Sequence, residues 1–419
     1  MSEVTAPVEI TDPWTSPLER LDVSRSELFG GDLQDPWFAR LRRDAPVHHC
    51  ARSANGPYWS ITRFHDIKFV DTHHEEFSSE DGITIADNDA EPEVVLENFI
   101  AMDPPRHDEQ RKTVAPSVAP ANLSKLEPLI RERVVDILEH LPVGETFNWV
   151  DRVSIELTAR MLATLFDFPY EERRKLVHWS DVTTASPQIM GEAGLPAAER
   201  AEELGKCVAA FNELWQQRAS QPAGPDLISM LAHGESTRDM PSRPREFMGN
   251  ILLLIVGGND TTRNSISGGV LALNRYPEQY DLLRSRPDLI PNMVAEMIRW
   301  QTPVIHMRRT ATRDVELGGK TIRQGDKVVM WYLSGNRDEA VFEDAERLII
   351  DRPNARQHLA FGYGIHRCMG NRLAEMQLRV LWEEIQQRFA RVEVTGPVKR
   401  VPNNFIRGIA ELPVRVHPL

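Results

Sequence analysis

Apolar residues along this chain recur mostly at helical spacing. Leu123, Leu126, Ile130, Val134 and Ile137 fall three or four apart, and Leu157, Met161, Leu162 and Leu165 keep a similar rhythm. Such spacing puts them on one face of a helix. From residue 122 to about 301 the pattern is mostly helical, broken at the proline-bounded stretches 187–196 and 222–225. Residues 245 to about 276 predict one long helix, roughly 50 Å at the α-helical rise. Its middle, Ile251 to Val256, is apolar on all sides, which predicts a path through the core. A further helix is predicted over 371–389. Residues 35–43 predict a first helix, closed by Ala45-Pro46. Residues 47–50 and 58–62 predict short strands about a turn at Asn55-Gly56. Residues 315–333 and 392–419 also read as short strands and turns. Residues 81–102 lack periodicity and predict a long loop, a kind that often carries function. No repeat and no second-domain boundary is visible. The expectation is one mainly α domain over 1–419, helix-rich over about 122–390, with small β-sheets near 47–62, 315–333 and 392–419.

At 419 residues the chain can bury a large core. Its formal net charge of −13 argues against nucleic acid as a partner. The three cysteines, Cys50, Cys207 and Cys368, show no metal-pair spacing and do not build a disulfide framework. A reducing compartment fits them. The N-terminus has no basic and apolar leader pattern, and the longest apolar run is too short to span a bilayer. These features predict a cytoplasmic protein without a membrane anchor.

The candidate chemistry starts at Cys368, in the string FGYGIHRCMG (361–370). Phe361 stands seven residues before the cysteine, Gly364 four before it and Gly370 two after, with a helical pattern following at once. A loop that presents one sulfur to a haem iron needs these features. Gly364 permits a tight fold against a flat macrocycle. Phe361 can cover the sulfur, and Gly370 clears space at the start of the helix. Backbone N–H groups and the helix dipole beside Cys368 are expected to lower its thiol pKa.

A second cluster lies within the long helix: Gly257, Gly258, Asn259, Asp260, Thr261 and Thr262. Two mid-helix glycines cost about 1 kcal/mol each against alanine, which suggests a close approach to the backbone. A haem face would make one. Thr261 can return its hydroxyl to the carbonyl of Gly257, one turn earlier, and Asp260 supplies an acid to relay protons. Glu296 and Arg299 stand at i and i+3 on one helix face. His107 and Arg111 stand four apart and share another.

Together these motifs resemble the cytochrome P450 family of haem-thiolate monooxygenases, over nearly the whole chain and most strongly from 245 to 390. The resemblance implies that fold, with haem b between the long helix and the loop of Cys368, its axial ligand. It implies O₂ as co-substrate, with Asp260 and Thr261 delivering protons. His107, Arg111, Arg309 and His366 match propionate-binding positions, with Phe361, Gly257, Gly258 and Gly370 around the macrocycle. Glu296 and Arg299 match a buried pair that meets a second arginine, which the resemblance places at Arg347, in a structural role.

Residues 257–269, 296–319 and 351–377 resemble the bacterial branch that hydroxylates the terminal methyl of medium-chain alkanes and fatty acids. That implies a small apolar substrate among Ile83, Leu253, Val256, Ile305 and Phe405. A neighbouring branch, acting on sterol or terpenoid side chains, shares part of these stretches. The chain is too short for a fused reductase, so electrons are expected from NAD(P)H through a flavin ferredoxin reductase and an iron-sulfur ferredoxin. Arg367, Arg372 and Arg379, near the cysteine, form a possible basic docking patch. A monomer is expected. A haem-thiolate sensor without catalysis is disfavoured by Asp260 and Thr261, since a sensor needs no proton delivery.

Overall fold

A computed structural model describes residues 11–86 and 96–419. The fold is mostly helical. Its axis is the helix Pro244–Arg275, which packs against the helices Glu156–Phe166, Arg174–Thr183 and Ile290–Gln301. Pro244 sits in its first turn, where the missing N–H costs nothing. It ends at Tyr276, ahead of Pro277.

Two apolar cores meet on this helix. Phe247, Ile251, Leu252 and Ile255 belong to one core, with Leu162, Trp179 and Phe211. Ile266, Val270, Leu271 and Leu273 belong to the other, with Met297, Trp382 and Ile385. The stretch Gly257 to Thr262 lies between them. Gly249 is needed for packing: a Cβ there would fall 2.0 Å from the carbonyl oxygen of Glu97.

The helix Asn371–Arg388 follows the cysteine loop as expected and buries Leu378, Leu381, Trp382 and Ile385. The sheets are small. The largest has five strands in the order Val47–Cys50, Tyr58–Ile61, Lys327–Met330, Met307–Ala311 and Phe77–Ser78. Tyr58–Ile61 runs parallel to Lys327–Met330, while the other pairs are antiparallel. Phe147–Asn148, Pro413–Pro418 and Phe389–Val394 form a three-stranded sheet. Val315–Leu317 and Lys320–Ile322 form a hairpin, turned by Gly318 and Gly319 at positive φ.

Among the elements the sequence pattern misses are the helix Phe64–Thr72 and the strand Met307–Ala311. The strand reads MRRTA and shows no clean alternation. Its arginines are buried because Asp71 and backbone carbonyls receive them. Part of the expected loop, 87–95, lies outside the described residues. Residues 81–86 and 96–98 carry neither helix nor strand, and a 3₁₀ turn spans Phe99–Ala101. Among the described residues, no helix is long and apolar enough to cross a membrane.

Candidate functional site

The cysteine loop is fixed by its own backbone. The N–H of Cys368 donates to the carbonyl of Phe361 at 2.7 Å. Gly364 has φ 66°, and a Cβ there would fall 2.3 Å from the carbonyl oxygen of Asp71, so only glycine fits. Gly370 faces open space. The side chain of Cys368 is exposed, although many protein groups surround it. Burial raises its thiol pKa. The N–H groups of Gly370 and Asn371, with Arg111 and Arg367, pull the other way without overcoming it. The expected lowering therefore does not hold for the protein alone. A coordinated metal ion would supply it, because coordination deprotonates a thiol.

Opposite features occur at the centre of the long helix. Gly257 is exposed although the helix is largely buried, and a Cβ there would touch nothing within 4 Å. It opens on an interior cavity. Gly258 does not. A Cβ at Gly258 would sit 2.7 Å from Leu162, so that glycine serves helix packing rather than a cofactor face. The hydroxyl of Thr261 donates to the carbonyl of Gly257 at 3.0 Å, and both residues line the cavity.

Asp260 is wholly buried. Its Oδ1 accepts from Asn259 at 3.1 Å and pairs with Arg263 at 2.7 Å. Its Oδ2 has no partner among the described residues. Burial pushes this carboxyl up to about 6, with Arg263 pulling down and Asp181 pushing up. Arg263 also pairs with Asp181, on the neighbouring helix. Sequence reasoning missed this Asp260–Arg263–Asp181 chain, although Arg263 stands i+3 from Asp260.

Residues suited to haem propionates gather beside the cysteine loop. The rings of His107 and His366 lie 4.4 Å apart between centroids. His107 meets Asp108 through Nδ1 at 2.7 Å, and His366 meets Ser79 through Nε2 at 3.0 Å. The other nitrogen of each ring is buried without a partner among the described residues. Arg111 donates to the carbonyl of Arg367. A free sulfur, two unspent imidazole nitrogens and two glycines facing open space are a donor set that fits haem. Arg309 stands differently, because its amino groups go to Asp71 at 2.9 Å and the Arg308 carbonyl at 2.8 Å. Asp71 also accepts from the N–H of Tyr363 at 2.7 Å, so Arg309 braces the cysteine loop through Asp71.

Glu296 and Arg299 are fully buried and joined by two hydrogen bonds, at 2.7 and 2.8 Å. The second arginine is Arg352, not Arg347. Arg352 Nε lies 3.0 Å from Glu296 Oε1. The Arg347 side chain is exposed and pairs with Glu278; only its carbonyl joins the network, accepting from Arg299 at 2.8 Å. The cause is burial: Leu348 and Ile350 carry the chain into the core, and Arg352 enters with them. Arg379 is likewise unavailable for docking, since Glu127 and Glu383 hold it, each at 2.8 Å.

The cavity measures about 220 Å³. Ile83, Leu253, Val256 and Phe405 line it, as do Val304 and Met307, which the sequence did not single out. Ile305 does not line it. Its side chain is buried in a separate core with Trp331, Leu333 and Phe38. Strand-like alternation turns 304 and 305 to opposite faces. Thr183, Thr184, Ser186 and Asn98 add polar groups to the wall.

A sequence model of the cytochrome P450 family matches residues 283–413. Linalool 8-monooxygenase of Pseudomonas putida is 39% identical over 416 residues, 96% of this chain and 100% of that protein. Methyl-branched lipid omega-hydroxylase of Mycobacterium tuberculosis is 33% identical over 398 residues, 91% of each chain. Among solved structures, cytochrome P450-153 from Novosphingobium aromaticivorans superposes with a TM-score of 0.88 at 47% identity, over 97% of this chain and 100% of that one. CYP153D17 from Sphingomonas sp. PAMC 26605 gives 0.90 at 48%, over 96% and 100%.

Proposed function

The chain belongs to the cytochrome P450 family of haem-dependent monooxygenases, and we propose that it hydroxylates the terminal methyl of medium-chain alkanes or fatty acids. Bound haem supplies O₂ activation and insertion of one oxygen atom, with electrons that originate in NAD(P)H and arrive through redox partners. In this reading Cys368 would ligate the haem iron, and His107, Arg111 and His366 would hold the propionates. Asp260, whose carboxyl burial pushes up to about 6, would hold a proton and pass it toward the Gly257–Thr261 turn. Thr261 would keep its hydroxyl on the Gly257 carbonyl in that turn.

The observation that carries the substrate reading is the cavity wall beside Thr261. Leu253, Val256, Val304, Met307 and Phe405 are apolar and bulky, and they line the same cavity as Gly257 and Thr261. Terminal C–H bonds are the strongest in a chain. Attack there needs a wall that admits the chain end and withholds inner carbons, which is a matter of orientation. The names of the lipid omega-hydroxylase and of the linalool enzyme support a methyl on an acyclic chain.

The polar groups at Thr183, Thr184, Ser186 and Asn98 favour a second reading, an oxygenated acyclic terpenoid oxidised at a methyl. A spectral titration of the ferric protein decides between them, with n-octane, dodecanoic acid, linalool and a sterol ketone in parallel, followed by product analysis. A spin-state shift and terminal alcohol from the linear chains support the first reading. A response to linalool alone moves the function to the second. Electrons are proposed to come from an iron-sulfur ferredoxin served by a flavin reductase. Exposed Arg367 and Arg372 offer an acidic carrier a docking point, and reduction that slows steeply with added salt would support this.

A further inference from the structure

Three segments, distant in sequence, build one wall of the cavity: residues 82–86, 303–307 and 403–407. Ile83, Val304, Met307, Phe405 and Ile406 present side chains to it. Backbone bonds join the middle segment to both neighbours. Arg308 N–H donates to the carbonyl of Ile83, and Ile305 N–H to that of Phe405, each at 2.8 Å. Val304 also bridges to Ile406. The flanking segment 82–86 has no helix or strand of its own. It depends on such ties, with Lys327 at the Ile85 carbonyl (3.0 Å) and Arg308 at the Ala86 carbonyl (2.9 Å).

His306 sits in the middle segment, fully buried. Its Nδ1 is 2.8 Å from the carbonyl oxygen of Asn404, and its Nε2 is 3.0 Å from the amide nitrogen of Ile85. A carbonyl only accepts and an amide N–H only donates. Nδ1 therefore carries the hydrogen and Nε2 is bare. This neutral tautomer spends both nitrogens, one on each flanking segment. The ring also packs against Trp331 and Phe405, at 5.0 and 5.4 Å between centroids. Among the described residues, no other side chain hydrogen-bonds to both flanking segments.

We propose that His306 is a positioning residue, a strut that fixes the Ile83 and Phe405 walls relative to each other and so sets which carbon the substrate presents beside Thr261. The inference rests on the cavity being the substrate site. It does not touch the substrate. A small shift of such a wall changes which carbon lies nearest Thr261, which gives the strut its leverage over the product ratio.

Two conservative variants separate its two bonds. His306→Asn retains an amide donor where Nδ1 stands, toward Asn404, and has nothing to reach Ile85. His306→Gln retains an acceptor where Nε2 stands, toward Ile85. The haem-loaded proteins are compared with n-octane and dodecanoic acid for Kd by spin-state shift, kcat, the ratio of terminal to subterminal alcohol, and exchange of the Ile85 amide hydrogen. The asparagine variant should exchange Ile85 faster, bind about tenfold more weakly (about 1.4 kcal/mol) and form more subterminal alcohol, with kcat little changed. The glutamine variant should keep Ile85 exchange near wild type but, having lost the Asn404 bond, share the weaker binding and the altered product ratio. An asparagine variant that loses only thermal stability and keeps the wild-type product ratio and Kd overturns the proposal. If the wild type binds the probes without oxidising a methyl, the terminal-hydroxylase reading fails. Weaker Kd in both variants, with faster Ile85 exchange in the asparagine variant alone, then still decides the strut.

Discussion

The cysteine side and the cavity side of this protein are held by different means. Around Cys368 each anchor is used several times. Glu296 receives Arg299, Arg352 and the N–H of Ile349; Asp71 receives Arg309, Tyr332 and the N–H of Tyr363. Losing one bond leaves the others in place. The cavity wall is assembled from separate stretches joined by scattered bonds with no shared anchor, such as Arg308 to Ile83 and Ile85 to His306. The difference follows from what each side does. In the proposed function a ligand sulfur must stand at one place for any substrate, whereas a wall that selects among chains can change by small shifts.

The strongest challenge to this comparison is Cys368→Ser. It should abolish monooxygenase turnover and remove the thiolate signature from the spectrum of the reduced carbon monoxide complex. A variant that kept both would unseat Cys368 as the ligand. Asp260→Asn should come next, lowering turnover by about a hundredfold or more, the usual worth of a positioned acid. Stopped-flow kinetics would show whether the loss falls after O₂ binds; a loss confined to substrate binding would contradict the proton role.

The buried network tests the correction at its second arginine. Arg352→Ala should destabilise the protein by about 1–3 kcal/mol, because Arg299 stays on Glu296 while the carbonyls of Glu343 and Asp344 lose their buried donor. Arg347→Ala, at an exposed pair, should change stability little. Denaturant unfolding of both variants checks the ranking, and equal losses would refute it.

A smaller effect concerns acid. Burial holds His306 down to about 4 from its ordinary 6.5. Between those values the unfolded chain binds the proton and the folded one does not, so stability falls as pH drops. The contribution is fully present above about pH 6.5 and gone by about pH 4. His306→Gln should flatten the stability slope across that window; an unchanged slope would mean that other groups, such as buried His358, carry it.

Much of the fold was legible because local rules settle it. The long helix, the helix after Cys368 and the hairpin at Gly318-Gly319 follow from spacing and turn chemistry that neighbours along the chain decide. The strand Met307–Ala311 was not legible, since its buried arginines are admitted only by Asp71 and by carbonyls distant in sequence. Gly257 and Gly258 looked alike in the sequence, and only packing shows that one opens on the cavity and the other meets Leu162.

The sequence by itself brought out the candidate chemistry. A cysteine between two glycines ahead of a helix, and an acid beside a threonine in an apolar helix, stand out by spacing alone, and the family resemblance gives them the roles we propose. The tertiary structure alone decided which residues share a space. Arg352 rather than Arg347 reaches Glu296, Val304 rather than Ile305 faces the cavity, and His306 joins Ile85 to Asn404. Those pairings depend on how distant segments pack, because burial and register are properties of the assembled fold and not of any stretch of chain.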